Sequence, residues 1–394
     1  MIDVIEPSKK SELVSYPIRD IVQEAKKVEA QGVKMTYLNI GDPGPFGFRP
    51  PQHILTAVKE AIDKNYSGYA PSGGDPELCA AVAKYENVTP RDVFITSGLS
   101  EGIDFLFQAM VDPGRNILLP SPSYPLYLTK QRVSFGSEVF YNCDDNWIPD
   151  VSTMRGTITP YTKAILVISP NNPTGAVYSR KILQEIVNIA GEYNLPIISD
   201  DAYEMLVFEG EKVNLREICK DVPLVSGGSL SKNFIYPGAR VGWLAFHGDK
   251  WEKVKDAIQR LCNQRLSVNW EMQRGGIAAL NGSMDFLAVF NSELKKRRDV
   301  LVKKINAFDG LRMPSPRGAF YALVEVTPAY AAKWKSDKEL ALELIKNGVV
   351  IVPGNGFVGP ELRGRLFFRI VFLPTVKQLE SALDTIETVL KSRM

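Results

Sequence analysis

The sequence predicts an α/β protein made of a large domain, with a mainly parallel sheet between helices, and a smaller α/β domain. Three observations lead to this prediction. The middle of the chain alternates short apolar runs with amphipathic helical stretches, and the last hundred or so residues follow a different order of elements. In addition, 394 residues are more than one ordinary domain holds.

The large domain is predicted from five apolar runs, each of the length of one strand and too short to span a bilayer. Val, Ile and Leu dominate these runs, which is typical of parallel strands buried on both faces. Between two of them, Ile182, Ile186 and Ile189 fall on one face of a helix over residues 179–193. We assign the large domain to residues 45–280 and its strands to residues 93–97, 116–119, 164–169, 196–199 and 223–226.

The smaller domain is predicted from residues 281–394 together with the N-terminal stretch 1–44. Thr375 and Gln378 have the spacing of a capping box, so a final helix is expected to begin there. The other expected elements are a helix over residues 284–307, a strand over 318–326, a helix through 339–345, and strands over 349–352 and 365–372.

Composition limits the classes of function. The formal net charge is +2, which gives no electrostatic case for binding nucleic acid or a membrane surface. The N-terminus has no apolar signal core, so cytoplasmic residence is expected. Four cysteines without a CxxC pair and only two histidines argue against a disulfide framework or a metal site. The basic run at 293–298 favours a solvated helix face over an anion groove.

One lysine lies in a run of small and hydroxyl residues after a predicted strand. In GGSLSKNFIYPGARVGW, Lys232 follows Ser229 and Ser231, and Arg240 comes eight residues later. Hydroxyls and a guanidinium can hold a phosphate, and a desolvated lysine can form an imine with an aldehyde. A lysine on a solvent-facing loop is the alternative.

Polar residues also end two neighbouring predicted strands. PIISDDAYEMLV places Asp200, Asp201 and Tyr203 at the carboxyl end of a strand, where parallel sheets bind ligands. The alternative is that the two acids cap the following segment. SPNNPTG presents Asn172 at the same sheet edge, and its simplest interpretation is a turn.

Together, SPNNPTG, SDDAYEMLVF and GSLSKNFIYPGARVGW resemble, in order and spacing, the fold-type I pyridoxal-phosphate aminotransferases. The resemblance extends to SYPIRDI, LNIGDPGPFGF and LFFRIVFLP, and so covers nearly the whole chain. It implies the cofactor pyridoxal 5'-phosphate. It implies that Lys232 forms a Schiff base with that cofactor and then moves the substrate proton. Asp200 would pair with the pyridine nitrogen, and Tyr203 and Asn172 would bind the ring oxygen.

The resemblance also implies how the rest of the cofactor is held. Tyr124 would stack on the ring, unless it only packs in the core. The phosphate would lie at the start of the helix after Thr96. Its expected ligands are Gly98, Leu99, Ser100, Ser229, Ser231 and Arg240. Tyr69 would reach the phosphate of a partner subunit, which implies a homodimer; a packed surface-loop tyrosine is the alternative.

At the substrate end, the resemblance implies that Arg369 binds the α-carboxylate through a two-pronged contact. Gly41 and Asn172 would lie beside that carboxylate, and Ile18 would close the pocket. GNGFVG at 354–359 has the form of a dinucleotide motif, but we interpret it as the loop before the Arg369 strand. Cys79 departs from the arginine that is common in the family, in a segment that is shorter than usual, which puts the local surface in doubt.

The motifs are most similar to the alanine (glutamate–pyruvate) branch of the family. We therefore expect ping-pong transfer between an amino acid and a 2-oxo acid, with alanine and 2-oxoglutarate as the best pair. The alternatives are an aspartate, aromatic or broad-specificity aminotransferase, a pyridoxal-phosphate carbon–sulfur lyase, and a cofactor-binding regulator without turnover.

Overall fold

The computed structural model describes residues 5–14 and 17–394. Its helices are α1 Lys9–Glu12, α2 Pro17–Glu29, α3 Gln52–Asp63, α4 Pro76–Glu86, α5 Leu99–Met110, α6 Pro125–Val133, α7 Val151–Thr157, α8 Arg180–Glu192, α9 Leu215–Ile218, α10 Glu252–Arg265, α11 Trp270–Asn281, α12 Phe286–Asn306, α13 Pro328–Ala331, α14 Asp337–Lys346 and α15 Val376–Lys391. Its strands are β1 Thr36–Tyr37, β2 Val93–Thr96, β3 Asn116–Ser121, β4 Phe140–Asn142, β5 Thr162–Ile168, β6 Ile197–Asp200, β7 Leu224–Ser229, β8 Gly242–His247, β9 Leu311–Arg312, β10 Tyr321–Val326, β11 Val349–Val350, β12 Val352–Pro353 and β13 Leu366–Val371.

The main sheet has seven strands in the order β2-β8-β7-β6-β5-β3-β4. Strands β7, β6, β5, β3 and β4 are parallel neighbours, whereas β8 is antiparallel to both β7 and β2. The five strands predicted from the apolar runs all belong to this sheet, so the predicted fold class is confirmed. β4 and β8 were not among the predicted strands.

Both faces of the main sheet are buried. Along the central strands, successive side chains enter two different cores: Leu166 packs with α5 and α6, while Val167 packs with α7 and α8. Helix α8 begins and ends within one residue of the predicted range. The Ser179 side chain accepts a hydrogen bond from the Ile182 N–H and so caps the first turn. A strand buried on both faces needs an unbroken apolar sequence, and this is why the apolar runs identified the sheet.

A second, antiparallel sheet has the order β12-β13-β10-β9 and packs against α12 and α15. Helix α15 opens with the predicted capping box of Thr375 and Gln378. The parallel pair β1–β11 joins the N-terminal part of the chain to this region, and α2 packs on α14. The division into residues 45–280 against 1–44 and 281–394 stays a prediction.

The basic run on α12 is only half solvated. Lys295 and Lys296 are exposed, as expected, but Arg297 and Arg298 are buried. Arg298, 2% exposed, donates hydrogen bonds to Glu209 and to the carbonyl of Pro316, both at 2.6 Å. The prediction of a solvated face was wrong for these two residues, because the guanidiniums find acceptors on loops that sequence periodicity does not reveal.

The GNGFVG motif and Cys79 have these places in the fold. Residues Gly354–Phe357 form a short 3-10 turn that leads towards β13, which confirms the interpretation of GNGFVG as the loop before the Arg369 strand. Cys79 is buried in α4. In the described part of the chain, no helix has the length and apolarity needed to cross a membrane.

Candidate active site

The carboxyl ends of β5, β6 and β7 meet at one edge of the main sheet. Asn172 lies four residues beyond β5, Asp200 ends β6, and Lys232 lies three residues beyond β7. The three side chains line one cavity of about 510 Å³. The sheet topology therefore brings together residues that are 60 positions apart in the sequence (172 to 232).

Lys232 is the amine of this cavity. Its Nζ donates a 2.5 Å hydrogen bond to the Gly41 carbonyl and lies 5.7 Å from the centre of the Phe320 ring. The pKa of Lys232 is lowered to about 8, chiefly by burial and also by the nearby guanidiniums of Arg369 and Arg240, while Asp42 acts in the opposite direction. At pH 7 roughly a tenth of such an amine is neutral, far more than of an ordinary lysine, and the neutral form can attack a carbonyl carbon.

Asp200 is a buried carboxyl group that lines the cavity. The hydroxyl of Tyr127 donates to its Oδ2 at 2.8 Å, and the Ala202 N–H donates to its Oδ1 at 3.1 Å. Burial raises the pKa of Asp200 because it outweighs both hydrogen bonds, which act in the opposite direction. Opposite a protonated ring nitrogen, this carboxylate would gain the positive partner that burial demands.

The residues after Asp200 face two sides in turn. Tyr203 lines the cavity with Asp200, whereas Asp201 and Glu204 point to the other side, towards Arg216. Glu204 accepts hydrogen bonds from Arg216 at 3.0 Å and from the Tyr85 hydroxyl. Burial raises the pKa of both Asp201 and Glu204, and Arg216 only partly offsets it. This charge network anchors the segment that presents Asp200 and Tyr203.

The start of α5 forms part of the cavity wall. Gly98 has φ +70°, and a Cβ at this position would overlap the Arg240 guanidinium. Arg240 donates to the carbonyl of Ser97 at 3.2 Å and lines the cavity with Ser100 and the two predicted serines, Ser229 and Ser231. Free N–H groups at a helix start, three hydroxyls and one guanidinium make an anion-binding end.

Arg369 also lines the cavity and is 1% exposed. Its guanidinium donates to Asn172 Oδ1 at 3.0 Å and to the Asn39 carbonyl at 2.6 Å, and Nε has no hydrogen-bond partner among the residues that the structure describes. The rings of Tyr321 and Phe357 lie 4.6 and 4.9 Å from its Cζ. A buried guanidinium with an unused donor is suited to a carboxylate ligand.

Comparison with known proteins gives the family. The model for aminotransferase class I and II matches residues 33–386. The glutamate–pyruvate aminotransferase AlaA of Escherichia coli K12 is 34% identical, with 96% of each chain covered, and an alanine aminotransferase of Mycobacterium tuberculosis is 35% identical, with 98% and 92% covered. The solved alanine aminotransferase of Pyrococcus furiosus superposes with a TM-score of 0.93 at 40% identity, with 98% and 100% covered.

The chain is a class I/II aminotransferase. Its cofactor is pyridoxal phosphate, which the family uses, and the residues of the cavity fit this group. The anion-binding end suits a phosphate, Asp200 suits a ring nitrogen, and Lys232 suits an aldehyde. The close approach of Arg240 to Gly98 supports the fit, since any side chain at position 98 would push the guanidinium away.

Most predicted site residues of this aminotransferase do line the cavity. Besides those described above, these are Ile18, Gly41, Leu99 and Tyr124. Ile18 packs on Val352 and Phe357. Gly98 borders the cavity through Arg240, and Tyr69 does not line it: its side chain is 80% exposed on this single chain. Their roles stay predictions.

Four polar side chains among the described residues of the site were missed from the sequence. Arg19, Asp42 and Tyr321 line the cavity, and Tyr127 binds Asp200. Tyr127 had a weak signal, because it follows Tyr124 by three residues, close to one helical turn, in SPSYPLY. Tyr321 was hidden in an aromatic run that is equally typical of a core strand.

Proposed function

We propose that this aminotransferase exchanges the amino group of alanine with the oxo group of 2-oxoglutarate, giving pyruvate and glutamate, in a ping-pong reaction. The observation that supports the proposal is one cavity lined by a low-pKa amine, Lys232, and by two guanidiniums, Arg240 and Arg369, which we assign to the cofactor phosphate and the substrate carboxylate.

When bound, pyridoxal phosphate supplies the carbonyl that accepts the amino group and a ring that takes up electrons. Lys232 Nζ would take up the proton of the substrate Cα and release it on the cofactor side. Asp200 would pair with the ring nitrogen and keep it protonated. Tyr203 would donate a hydrogen bond from its hydroxyl to the ring oxygen, with Asn172 beside it, and Tyr124 would cover the ring face.

Arg369 would hold the α-carboxylate, with Gly41 beside it and Ile18 covering it from the apolar side. A dicarboxylic substrate brings a second carboxylate. Among the described residues, three guanidiniums line the cavity, and Arg19 is the one then left for it. Arg19 lies in the first turn of α2 and is exposed. We propose that Arg19 binds the distal carboxylate of 2-oxoglutarate and glutamate.

Alanine is favoured over other amino donors by the relatives named above, which act on alanine or on glutamate and pyruvate. An aspartate or aromatic preference is the nearest rival, because a tyrosine aminotransferase of Bos taurus is also 32% identical over 96% of this chain. A carbon–sulfur lyase would need no oxo acid. We also propose a cytoplasmic homodimer in which Tyr69 reaches the phosphate of the partner's site.

The test is an amino-donor panel with 2-oxoglutarate as acceptor, in which the glutamate formed is measured. Alanine should be the best donor, and Lys232→Ala should abolish turnover. Arg19→Gln should raise KM for 2-oxoglutarate and glutamate about tenfold or more, by loss of one charge-assisted contact, while KM for alanine and pyruvate stays unchanged. No glutamate from any donor, or pyruvate and ammonia from cysteine derivatives without an oxo acid, would contradict the proposal.

A further inference from the structure

Tyr321 touches three parts of the proposed site at once. It is the first residue of β10 and is 3% exposed. Its hydroxyl lies 2.9 Å from the Tyr203 hydroxyl, and its ring lies 4.6 Å from the Arg369 guanidinium carbon. A Cβ at position 41 would overlap the Tyr321 hydroxyl, so this side chain also packs directly on Gly41.

The proposed function decides which hydroxyl is the donor in the contact between Tyr203 and Tyr321. Each hydroxyl carries one proton, and Tyr203 uses its own proton for the cofactor's ring oxygen. The proton in the 2.9 Å contact must then come from Tyr321, which donates to the Tyr203 oxygen. A phenol that accepts a hydrogen bond becomes a stronger donor, because hydrogen bonds in a chain polarise one another.

We propose that Tyr321 is a positioning residue with two separable parts: its hydroxyl strengthens the hydrogen bond that Tyr203 donates, and its ring orients Arg369 for the substrate carboxylate. The inference rests on the proposed function, since it takes the role of Tyr203 from there. It assigns the hydroxyl to the cofactor half of the site and the ring to the substrate half. The two rings cross at 86° with their centroids 5.5 Å apart, and the Tyr321 ring faces Arg369 while its hydroxyl meets that of Tyr203.

Two substitutions separate the parts. Tyr321→Phe removes only the hydroxyl, and Tyr321→Leu removes the ring as well. The first readout is the pH at which the visible absorption of the loaded enzyme changes. A hydrogen bond that Tyr203 donates to the ring oxygen weakens the hold of that oxygen on a nearby proton. When Tyr203 donates more weakly, the proton is retained to a higher pH, and the pH of the absorption change rises. We expect Tyr321→Phe to raise it by about 0.3–1 unit and Tyr203→Phe to raise it more.

The second readout is KM for alanine. It should stay within about threefold of wild type in Tyr321→Phe, which keeps the ring over Arg369, and should rise roughly 3- to 30-fold in Tyr321→Leu. Tyr141→Phe is the matched control, because it also removes a fully buried hydroxyl, one that donates to the Leu166 carbonyl at 2.9 Å. This control should change neither readout.

The outcomes separate the inference from the function on which it rests. A transition moved by Tyr203→Phe but not by Tyr321→Phe overturns the inference and leaves the proposed function standing. An equal KM in Tyr321→Leu and wild type overturns the assignment of the ring. A wild-type enzyme without any visible absorption band after loading overturns the proposed function, and the inference with it.

Discussion

Replacing Arg369 with lysine tests the carboxylate-binding end of the site most directly. Lysine keeps the positive charge but replaces a planar fork of donors with a single ammonium group. In the structure, two guanidinium nitrogens already donate to Asn172 and to the Asn39 carbonyl, and the buried Nε has no partner within residues 5–14 and 17–394. A carboxylate bound in two-pronged fashion would use the fork, and a lysine would lose at least one prong.

The size of the loss follows from the contacts. A hydrogen bond to a charged group contributes about 1.5–3 kcal/mol, and about 1.4 kcal/mol corresponds to a tenfold change in rate. Arg369→Lys should therefore lower kcat/KM roughly 10- to 150-fold. Arg369→Gln, which loses the charge as well, should cost about one further factor of ten or more. Because every substrate carries an α-carboxylate, the loss should be similar for alanine, glutamate and both oxo acids.

The assay is initial-rate kinetics for each substrate, combined with thermal unfolding of each variant. Arg365→Lys is the matched control, since Arg365 also forms a fork contact with a carboxylate, at 2.7 and 2.6 Å to Glu325, but lies outside the cavity. It should keep kcat/KM within about twofold. The reasoning would be refuted if Arg369→Lys were folded and retained wild-type kcat/KM, or if only one substrate were affected.

Three further predictions concern titration and packing. The pKa of about 8 for Lys232 predicts that the apo-protein combines with pyridoxal phosphate faster as the pH rises from about 7 to about 9, measured by stopped-flow absorbance; a rate that levels off only above pH 10 would contradict it. Gly41→Ala should lower the free energy of unfolding by about 1–3 kcal/mol in denaturant titrations, whereas Gly156→Ala, with no atom near the added Cβ, should change it by less than about 1 kcal/mol; equal losses would be inconsistent with the close contact at Gly41. Arg216→Met should cost about 3–5 kcal/mol. Burial holds the folded-state pKa of Glu204 above its unfolded value. The contribution of Glu204 to stability is therefore fully present below about pH 4 and is lost as the pH rises through the folded-state pKa. Without Arg216 this loss should be larger, and a destabilisation by Arg216→Met that is independent of pH would contradict the prediction.

The parts of the fold that follow from local sequence were predictable. The buried parallel strands have unbroken apolar runs, and the capping-box residues Thr375 and Gln378 mark the start of α15. Strand β8 was missed because it follows a turn-rich stretch that ends at Arg240, whose own φ is +49°. Its antiparallel pairing with β7 depends on a long-range register that no local pattern specifies.

The site was predictable where a residue lies in a distinctive motif and hidden where it does not. Asp200 ends β6 and Lys232 follows β7, and the carboxyl ends of these neighbouring parallel strands lie at one edge of the sheet. Tyr321 looks like an ordinary strand aromatic, because its contacts with Tyr203 and Arg369 join three distant segments. The prediction that Arg297 and Arg298 are solvated was wrong for the same reason. Helical periodicity indicates which residues share a helix face, but only tertiary packing supplies the acceptors that allow a charge on that face to be buried.

The alternation from Asp200 to Glu204 also limits how this gene segment can evolve. Asp200 and Tyr203 face the cavity, while Asp201 and Glu204 face Arg216. Inserting one codon after that of Asp200 would bring Asp201 to a position that lines the cavity and Tyr203 to the position of Glu204 beside Arg216. The segment should therefore tolerate substitutions better than changes of length.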